Sequence, residues 1–353
     1  MKAWVLHGIN DIKLECVEEP VLEEGEVLVA VKATGICGSD IPRIYKTGAH
    51  QMPLIPGHEC SGLVVETGSN VDIKWKGKRV GIFPLIPCQH CKPCQSGKYE
   101  MCRNYSYLGS RRNGGFAEYM AVPEWNLVEL PDNVTYEEAA MLEPMAVAVH
   151  AMRRVNFQST SSVVVEGLGT IGLFLTMFLL EHGIQNILVI GNKEFQKRMS
   201  FQLGISENHY CDSRTENVKD FILRHTDGYG PDVFFECVGK QETISKAIDL
   251  TAPAGEICMV GNPASDIILD QNLYWKVLRH QLRVTGTWNS SYIGNNIGED
   301  MSDDWHYVLN RLQQKKINPS AFITHRMALE ELEQGFHIMR DKTEDYVKIM
   351  FGK

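Results

Sequence analysis

Gly167-Leu-Gly169-Thr-Ile-Gly172 stands between three consecutive valines, Val163–Val165, and a long apolar stretch that opens at Ile171. A GxGxxG run alone is weak evidence. In a strand–turn–helix setting it is restrictive, because the glycines permit a tight turn and bring a helix N-terminus, with its free N–H groups, against an anion. The pattern predicts a strand over Val163–Val165 and a helix over Ile171–His182. The same alternation predicts strands over Ile187–Ile190, Val233–Cys237 and Glu256–Val260, and helices over Lys193–Gly204 and Thr243–Leu250. Apolar strands separated by helices of this length form a doubly wound α/β unit with a parallel sheet. Such a unit binds a dinucleotide through Gly167, Gly169, Thr170, Ile171 and Gly172.

The strand Ile187–Ile190 runs into Gly191-Asn192-Lys193 and not into an acidic residue. A carboxylate at that point holds the ribose hydroxyls of NAD and repels a 2′-phosphate. Glycine leaves room for the phosphate and Lys193 can neutralise it. The expected cofactor is therefore NAD(P)(H), bound in part by Gly191, Asn192 and Lys193, with the balance shifted toward NADP(H).

The chain outside this unit has another texture. Residues 1–130 hold short strand-like runs, such as Glu26–Lys32 and Ser61–Val65, between Gly, Pro and Asn turns. Tyr136–Met152 is rich in Ala and Met and reads as helix, with Pro144 best placed near a first turn. The tail predicts helices over Trp305–Gln314 and Ala328–Met339 and a strand over Tyr346–Phe351. A length of 353 residues fits two domains at about 100–200 residues each. The expected division is a nucleotide unit at 151–287 inserted into a β-rich catalytic domain made from 1–150 and 288–353.

Composition narrows the partners. A formal net charge of −9 argues against a nucleic-acid partner, which draws on clustered Lys and Arg. The N-terminus shows no apolar signal region, and the longest apolar run, Ile171–Leu180, is too short to span a bilayer. A cytoplasmic, reducing setting without a membrane partner is expected, where disulfides are rare. Ten cysteines then need another explanation.

Four of them, Cys88, Cys91, Cys94 and Cys102, form C-x2-C-x2-C-x7-C in a loop rich in Pro, Gly and Lys. Four thiolates this close suit a closed, tetrahedral structural zinc, and the loop has too little apolar content to order itself without metal. The crowded spacing disfavours an iron–sulfur cluster, and His90 inside the loop reads as a bystander. A second set is dispersed: Cys37 on a Gly-flanked loop with Ser39 and Asp40, His58-Glu59, and Glu143 before Pro144. Separately each residue has a bland reading. Beside a nucleotide unit they can supply three protein ligands and leave zinc's fourth position for water or substrate.

With these residues the chain resembles the zinc-containing medium-chain alcohol/polyol dehydrogenases. Gly57-His-Glu59-x2-Gly62-x5-Gly68-x2-Val71 fits that family's zinc signature throughout, and the four-cysteine spacing is the family's own. The resemblance covers essentially the whole chain and implies a GroES-like catalytic domain joined to a Rossmann domain. Glu143-Pro144 is similar to the sorbitol dehydrogenase branch, and GICGSDIPRIYKTGAH (35–50) and LGSRRNGGFAEY (108–119) resemble its hexitol-phosphate (galactitol-1-phosphate) members. The resemblance implies two zinc ions per subunit. Cys37, His58 and Glu143 would hold the catalytic one, with Glu59 an adjacent, exchanging ligand; the four clustered cysteines would hold the other.

The implied reaction is hydride transfer between a secondary alcohol of a polyol or polyol phosphate and NAD(P), with threonine- or simple-alcohol dehydrogenation the alternative. Ser39 would carry the first proton and Asp40 would orient His58. Two departures stand out. Gly191 replaces the Asp usual in NAD-dependent members, and Pro42 replaces a relay His, leaving water or His50 as the proton exit. A substrate phosphate would need cations such as Arg43, Lys46, His50, Arg111 and Arg112. Trp288, Asn289 and Tyr292 are candidates to line the pocket. The family implies a homo-oligomer, dimer or tetramer, with the four-cysteine lobe as a plausible interface.

Overall fold

The computed structural model describes residues 1–295 and 303–352, and the chain divides into two compact units, Met1–Ala146 with Ser290–Lys353, and Val147–Asn289.

The second unit is built on a six-stranded parallel sheet. Its strand order is Tyr210–Asp212, Asn186–Gly191, Ser162–Glu166, Val233–Glu236, Glu256–Met259, Arg283–Gly286. Val163 pairs with Ile187 on one side and Val233 on the other, so the first strand lies between the second and the fourth. Its three valines are fully buried, which is why the segment reads as an unbroken apolar run. Val164, Leu188, Phe234 and Ile257 share one face and pack on Phe221, Ile222, Ala247 and Ile248 from the helices Val218–Arg224 and Gln241–Leu250. The chain order reverses between Ser162–Glu166 and Val233–Glu236, and in such sheets ligands bind beyond the carboxyl ends of the strands at this switch point.

Four elements of this unit have no counterpart in the sequence reading: strand Tyr210–Asp212, helix Val218–Arg224, helix Gln271–Arg279 and strand Arg283–Gly286. Two of them bury little. Helix Gln271–Arg279 has no buried residue, and Arg283–Gly286 is exposed along most of its length, so neither leaves an apolar run to read.

The first unit is organised around a seven-stranded sheet of mostly antiparallel strands. Its order is Ile323–Met327, Lys348–Gly352, Glu26–Gly35, Glu59–Thr67, Arg79–Ile82, Leu127–Glu129, with Tyr119–Pro123 also pairing to Glu26–Gly35. The register of Glu26–Gly35 against Glu59–Thr67 shifts twice and ends with Gly35 opposite Glu59. On its other side, Gly35 pairs with Met350 of the C-terminal strand. Three distant stretches therefore meet at one end of the sheet.

The helical stretch after residue 135 is two helices, Tyr136–Ala140 and Leu142–Met152. Thr135 opens the first with a capping box: its side chain accepts from Glu138 N at 3.2 Å, and the Glu138 carboxylate accepts from Thr135 N at 2.8 Å. Pro144 falls in the first turn of the second helix, where its missing N–H would have had no partner. Glu143 is thereby fixed at a helix start.

Candidate active site

Cys37 follows the end of strand Glu26–Gly35, and its loop is closed from within. Asp40, fully buried, accepts from Cys37 N at 3.0 Å, and Asp40 N donates to Cys37 O at 3.0 Å. Ser39 Oγ donates to Cys37 Sγ at 3.3 Å. His58 and Glu59 arrive at the start of the neighbouring strand. Donor atoms of Cys37, His58 and Glu59 all lie within 4.8 Å of one another. His58 Nδ1 is buried, lacks a hydrogen-bond partner and lies 3.5 Å from Asp40 Oδ1. Burial alone would lower the His58 pKa, but Asp40 and the Cys37 sulfur outweigh it and push it well up.

Glu143 is outside this closest set. It is buried, and its Oε1 accepts from Tyr107 Oη at 3.2 Å; the Tyr107 ring stands edge-on to His58 with centroids 5.8 Å apart. Burial pushes the Glu143 carboxyl up to about 7, and nearby Glu59 adds to this against the pull of His58 and Lys348. Two buried carboxylates, a thiol and an imidazole at one sheet end, with Lys348 as the buried ammonium among them, form a donor set that a divalent cation fits.

The four-cysteine loop closes on itself as its spacing requires. Donor atoms of Cys88, Cys91, Cys94 and Cys102 lie within 4.8 Å of one another, with Cys91 Sγ 3.4 Å from Cys94 Sγ and 3.9 Å from Cys102 Sγ. Tetrahedral zinc with bonds near 2.3 Å puts its sulfurs about 3.8 Å apart, so these donors fit the ion. Backbone N–H groups, that of Cys94 first, pull the Cys91 thiol down toward the thiolate a metal needs.

In the other unit the glycines of the fingerprint have separate reasons. Gly167 has φ +101°, and a Cβ there would lie 2.6 Å from Val238 Cγ2. At Gly172 a Cβ would lie 2.0 Å from Gly167 O, so helix Thr170–Glu181 packs on the turn only without one. Gly169, at the helix N-cap, has open space on its Cβ side, leaving backbone room for a phosphate. Gly191 ends its strand as expected, but the room it leaves is not vacant. A Cβ there would lie 2.8 Å from Tyr210 Oη, and that hydroxyl donates to Lys193 O at 3.3 Å.

Comparison with known proteins gives the lineage. The GroES-like domain of alcohol dehydrogenases matches residues 23–132, and the zinc-binding dehydrogenase domain matches residues 170–314. Galactitol 1-phosphate 5-dehydrogenase of Escherichia coli K12 is 31% identical over 321 residues, 91% of each chain. The chain belongs to the zinc-binding alcohol dehydrogenase family. Within it, sorbitol dehydrogenase of Halalkalibacterium halodurans is 30% identical over 353 residues, 99% of this chain and 98% of the relative. The crystal structure of galactitol-1-phosphate dehydrogenase from Escherichia coli shares the fold with a TM-score of 0.91 at 28% identity, both chains covered in full. The GroES-like and Rossmann architecture is as the resemblance implied. This dehydrogenase is an oxidoreductase that works with zinc and a nicotinamide dinucleotide.

The residues considered for substrate scatter. In the dehydrogenase, Arg43 Nη1 donates to Asp40 Oδ1 at 2.5 Å, so that cation is engaged beneath the Cys37 loop. Arg111 lies over the Tyr105 ring, 4.4 Å from its centroid, and the Tyr105 and Tyr107 rings meet edge-on at 6.4 Å. A chain of aromatic contacts thus leads from Arg111 to Tyr107 and Glu143. Arg112 points elsewhere. It pairs with buried Glu26 at 2.6 Å and lines a cavity of about 450 Å³ with Val5, Ile55 and Met120, none of which belongs to the Cys37 group. Lys46 and His50 are exposed. Tyr292 is core: fully buried, it donates to Leu127 O at 2.6 Å among Phe83, Trp125 and Trp305. Trp288, 62% exposed, and Asn289 belong to the second unit. Sequence reasoning missed Tyr105, Tyr107, Tyr210 and Lys348. Only Lys348 left a signal, a lone cation inside the apolar run Val347–Phe351.

Proposed function

We propose that this protein oxidises a secondary alcohol of a polyol or polyol phosphate, with Cys37, His58 and Glu143 as the ligands of a catalytic zinc and Glu59 beside them. The observation that carries the reading is the convergence of Cys37, His58 and Glu59 at one sheet end, with Glu143 against Tyr107 alongside. Zinc, when bound there, supplies Lewis acidity that makes an alcohol easier to deprotonate. The nicotinamide ring supplies the hydride acceptor. Asp40 holds the Cys37 loop shut and orients His58. Ser39 Oγ, exposed beside the Cys37 sulfur, takes the substrate hydroxyl proton and passes it to water, the residue at position 42 being proline. Arg111, stacked on Tyr105, is the favoured phosphate contact.

A second zinc in the four-cysteine loop and a preference for NADP(H) complete the reading. The preference rests on Gly191, Asn192 and Lys193 with the Tyr210 hydroxyl, and Asp212, which lies opposite Gly191 on the neighbouring strand, is paired with Arg214. The protein is also read as cytoplasmic, since none of the ten cysteines is paired in a disulfide and five are read as zinc ligands. It is read as a homo-oligomer as well. Strand Arg283–Gly286 has one strand partner among the described residues, and the segments around it expose Trp275, Leu278, Val284 and Trp288.

Turnover of phosphorylated and free hexitols and pentitols, with NAD and NADP in parallel, tests the proposal. A polyol or its phosphate should give the highest kcat/KM, and NADP should exceed NAD. Faster turnover of threonine or simple alcohols would overturn the substrate reading, and equal or better use of NAD the cofactor reading.

A further inference from the structure

We propose that the cavity beside strand Tyr119–Pro123 is a binding site for a small aliphatic ammonium ion, separate from the Cys37 group. Residues 17–25 join strand Asp11–Cys16 to strand Glu26–Gly35 without regular structure. Strand Lys2–Gly8 meets the chain just ahead of Tyr119, where Glu118 N donates to Lys2 O at 3.0 Å. Beyond that point strand Tyr119–Pro123 pairs with Glu26–Gly35 alone among the described strands. The space left between it and residues 17–23 is the cavity of about 450 Å³, a volume in the range of small-molecule pockets. None of Cys37, His58, Glu59 and Glu143 lines it.

The walls decide what fits. Val5, Val17, Leu54, Ile55 and Met120 give the cavity an apolar lining that suits an aliphatic chain. Its one guanidinium is already engaged: Arg112 Nη2 donates to Glu26 Oε1 at 2.6 Å, and Glu26 Oε2 accepts from Glu23 N at 3.0 Å. The Glu26 side chain is 4% exposed, so this pair is a fixed and neutral part of the wall. The Met1 ammonium is directed at Val17 O, 2.7 Å away. The carboxylates of Glu18 and Glu23 have no such match. Glu18 has no hydrogen-bond or ion-pair partner among the described residues, and Glu23 Oε2 stays 3.8 Å from Arg112 with its side chain 77% exposed. An anion would face both carboxylates and find Arg112 taken, and a neutral molecule would leave both carboxylates unpaired. A cation with an apolar body satisfies both kinds of wall. The Tyr119 ring, also at the cavity, adds a face to which cations are drawn. Bound there, the ion ties residues 17–23 to the strand.

The test is isothermal titration calorimetry of the full-length protein with hexylammonium, hexanamide and hexanoate, a cation, a neutral molecule and an anion of one chain length. Hexylammonium should bind on the order of tenfold tighter than hexanamide and tighter still than hexanoate, and added salt should weaken it by screening the exposed carboxylates. Glu18→Gln and Glu23→Gln should each weaken hexylammonium about two- to fivefold and leave kcat for polyol oxidation unchanged. Both side chains are exposed, so the fold is not at stake. Ala121→Leu, which adds bulk to the cavity wall, should remove most of the binding. Should that variant fail to fold, the two glutamate variants decide. Cys37→Ser should bind hexylammonium as the wild type does. No detectable binding, equal affinity for hexanamide or hexanoate, or an affinity untouched by Glu18→Gln and Glu23→Gln together overturns the proposal. Loss of binding in Cys37→Ser would place the amine at the Cys37 group and overturns it as well. Tighter binding of Nα-acetyl-lysine amide than of hexylammonium would give the cavity to a lysine side chain of another protein and overturn its assignment to a free amine.

Discussion

Cys88, Cys91, Cys94 and Cys102 are brought together by 15 residues of local chain, whereas Cys37, His58, Glu59 and Glu143 span 107 residues and come near one another only because the fold aligns them. The local set has little besides its own turns: backbone N–H groups on sulfur and one short helix, Lys92–Gln95. The dispersed set is fixed from all sides by strand register, the buried Asp40, the Lys348–Glu59 pair and Tyr107. The difference is one of order of assembly. A loop without a core needs its ion to fold, while a site built into a sheet is shaped before its ion arrives. The local site should therefore respond to metal as a folding unit, and the dispersed site should respond as a binding site on a finished scaffold.

The largest effect should come from Cys37→Ser. On the proposed reading the substitution removes a ligand of the catalytic zinc and with it several kcal/mol of transition-state stabilisation, a drop in kcat of about a thousandfold or more. Its circular dichroism and thermal midpoint should stay near wild type, and zinc analysis should find about one ion per chain. Cys94→Ser should do the reverse. Zinc again falls by one, but limited proteolysis should now cut between residues 88 and 102 while the dispersed site keeps its metal. If either substitution empties both sites, the two regions are not independent and the contrast fails.

Gly35→Ala comes next. The added methyl would lie 2.1 Å from Glu59 Oε2 in a fully packed strand pair, so Glu59 or the strand must move. Overpacking of this kind costs about 1–3 kcal/mol, measurable as a lower urea midpoint. Its signature is location: zinc affinity should fall at the dispersed site and stay unchanged in the cysteine loop. Unchanged catalytic-zinc affinity would mean that the sheet does not set that site's geometry.

What could be read from the sequence follows the same division. The four cysteines declare their site because all the determinants lie in one short segment. GxGxxG between Val163–Val165 and an apolar helix is legible for the same reason, and so were four of the six strands of the sheet around it. The dispersed candidates could be grouped only by their company with a nucleotide unit and given roles only through a resemblance, since each alone has a commoner role. Residues that act across the fold were not legible. Tyr210 reaches Gly191 from a three-residue strand, and Lys348 meets Glu59 across 289 residues of chain. Arg112 shows the converse error. Its sequence neighbourhood is nearly the same as that of Arg111, yet the loop turns the two apart, one onto Tyr105 and the other onto Glu26.

Gly97→Ala gives the smallest effect and the sharpest contrast with Gly35. Gly97 follows helix Lys92–Gln95 with φ +70°, and nothing stands within 4 Å of where its Cβ would go. The cost there is purely conformational, about 1 kcal/mol for a non-glycine residue in the left-handed region. Because zinc binding and loop folding are one process, that cost should appear as zinc affinity in the loop lowered about fivefold, read by chelator competition. The kcat for polyol oxidation should not change. The two glycines thus separate the two kinds of site. At Gly35 an alanine collides with a side chain the fold has already placed, and at Gly97 it only biases a loop against the shape its metal requires. A Gly97→Ala protein with normal loop zinc affinity would mean that the turn is fixed without metal.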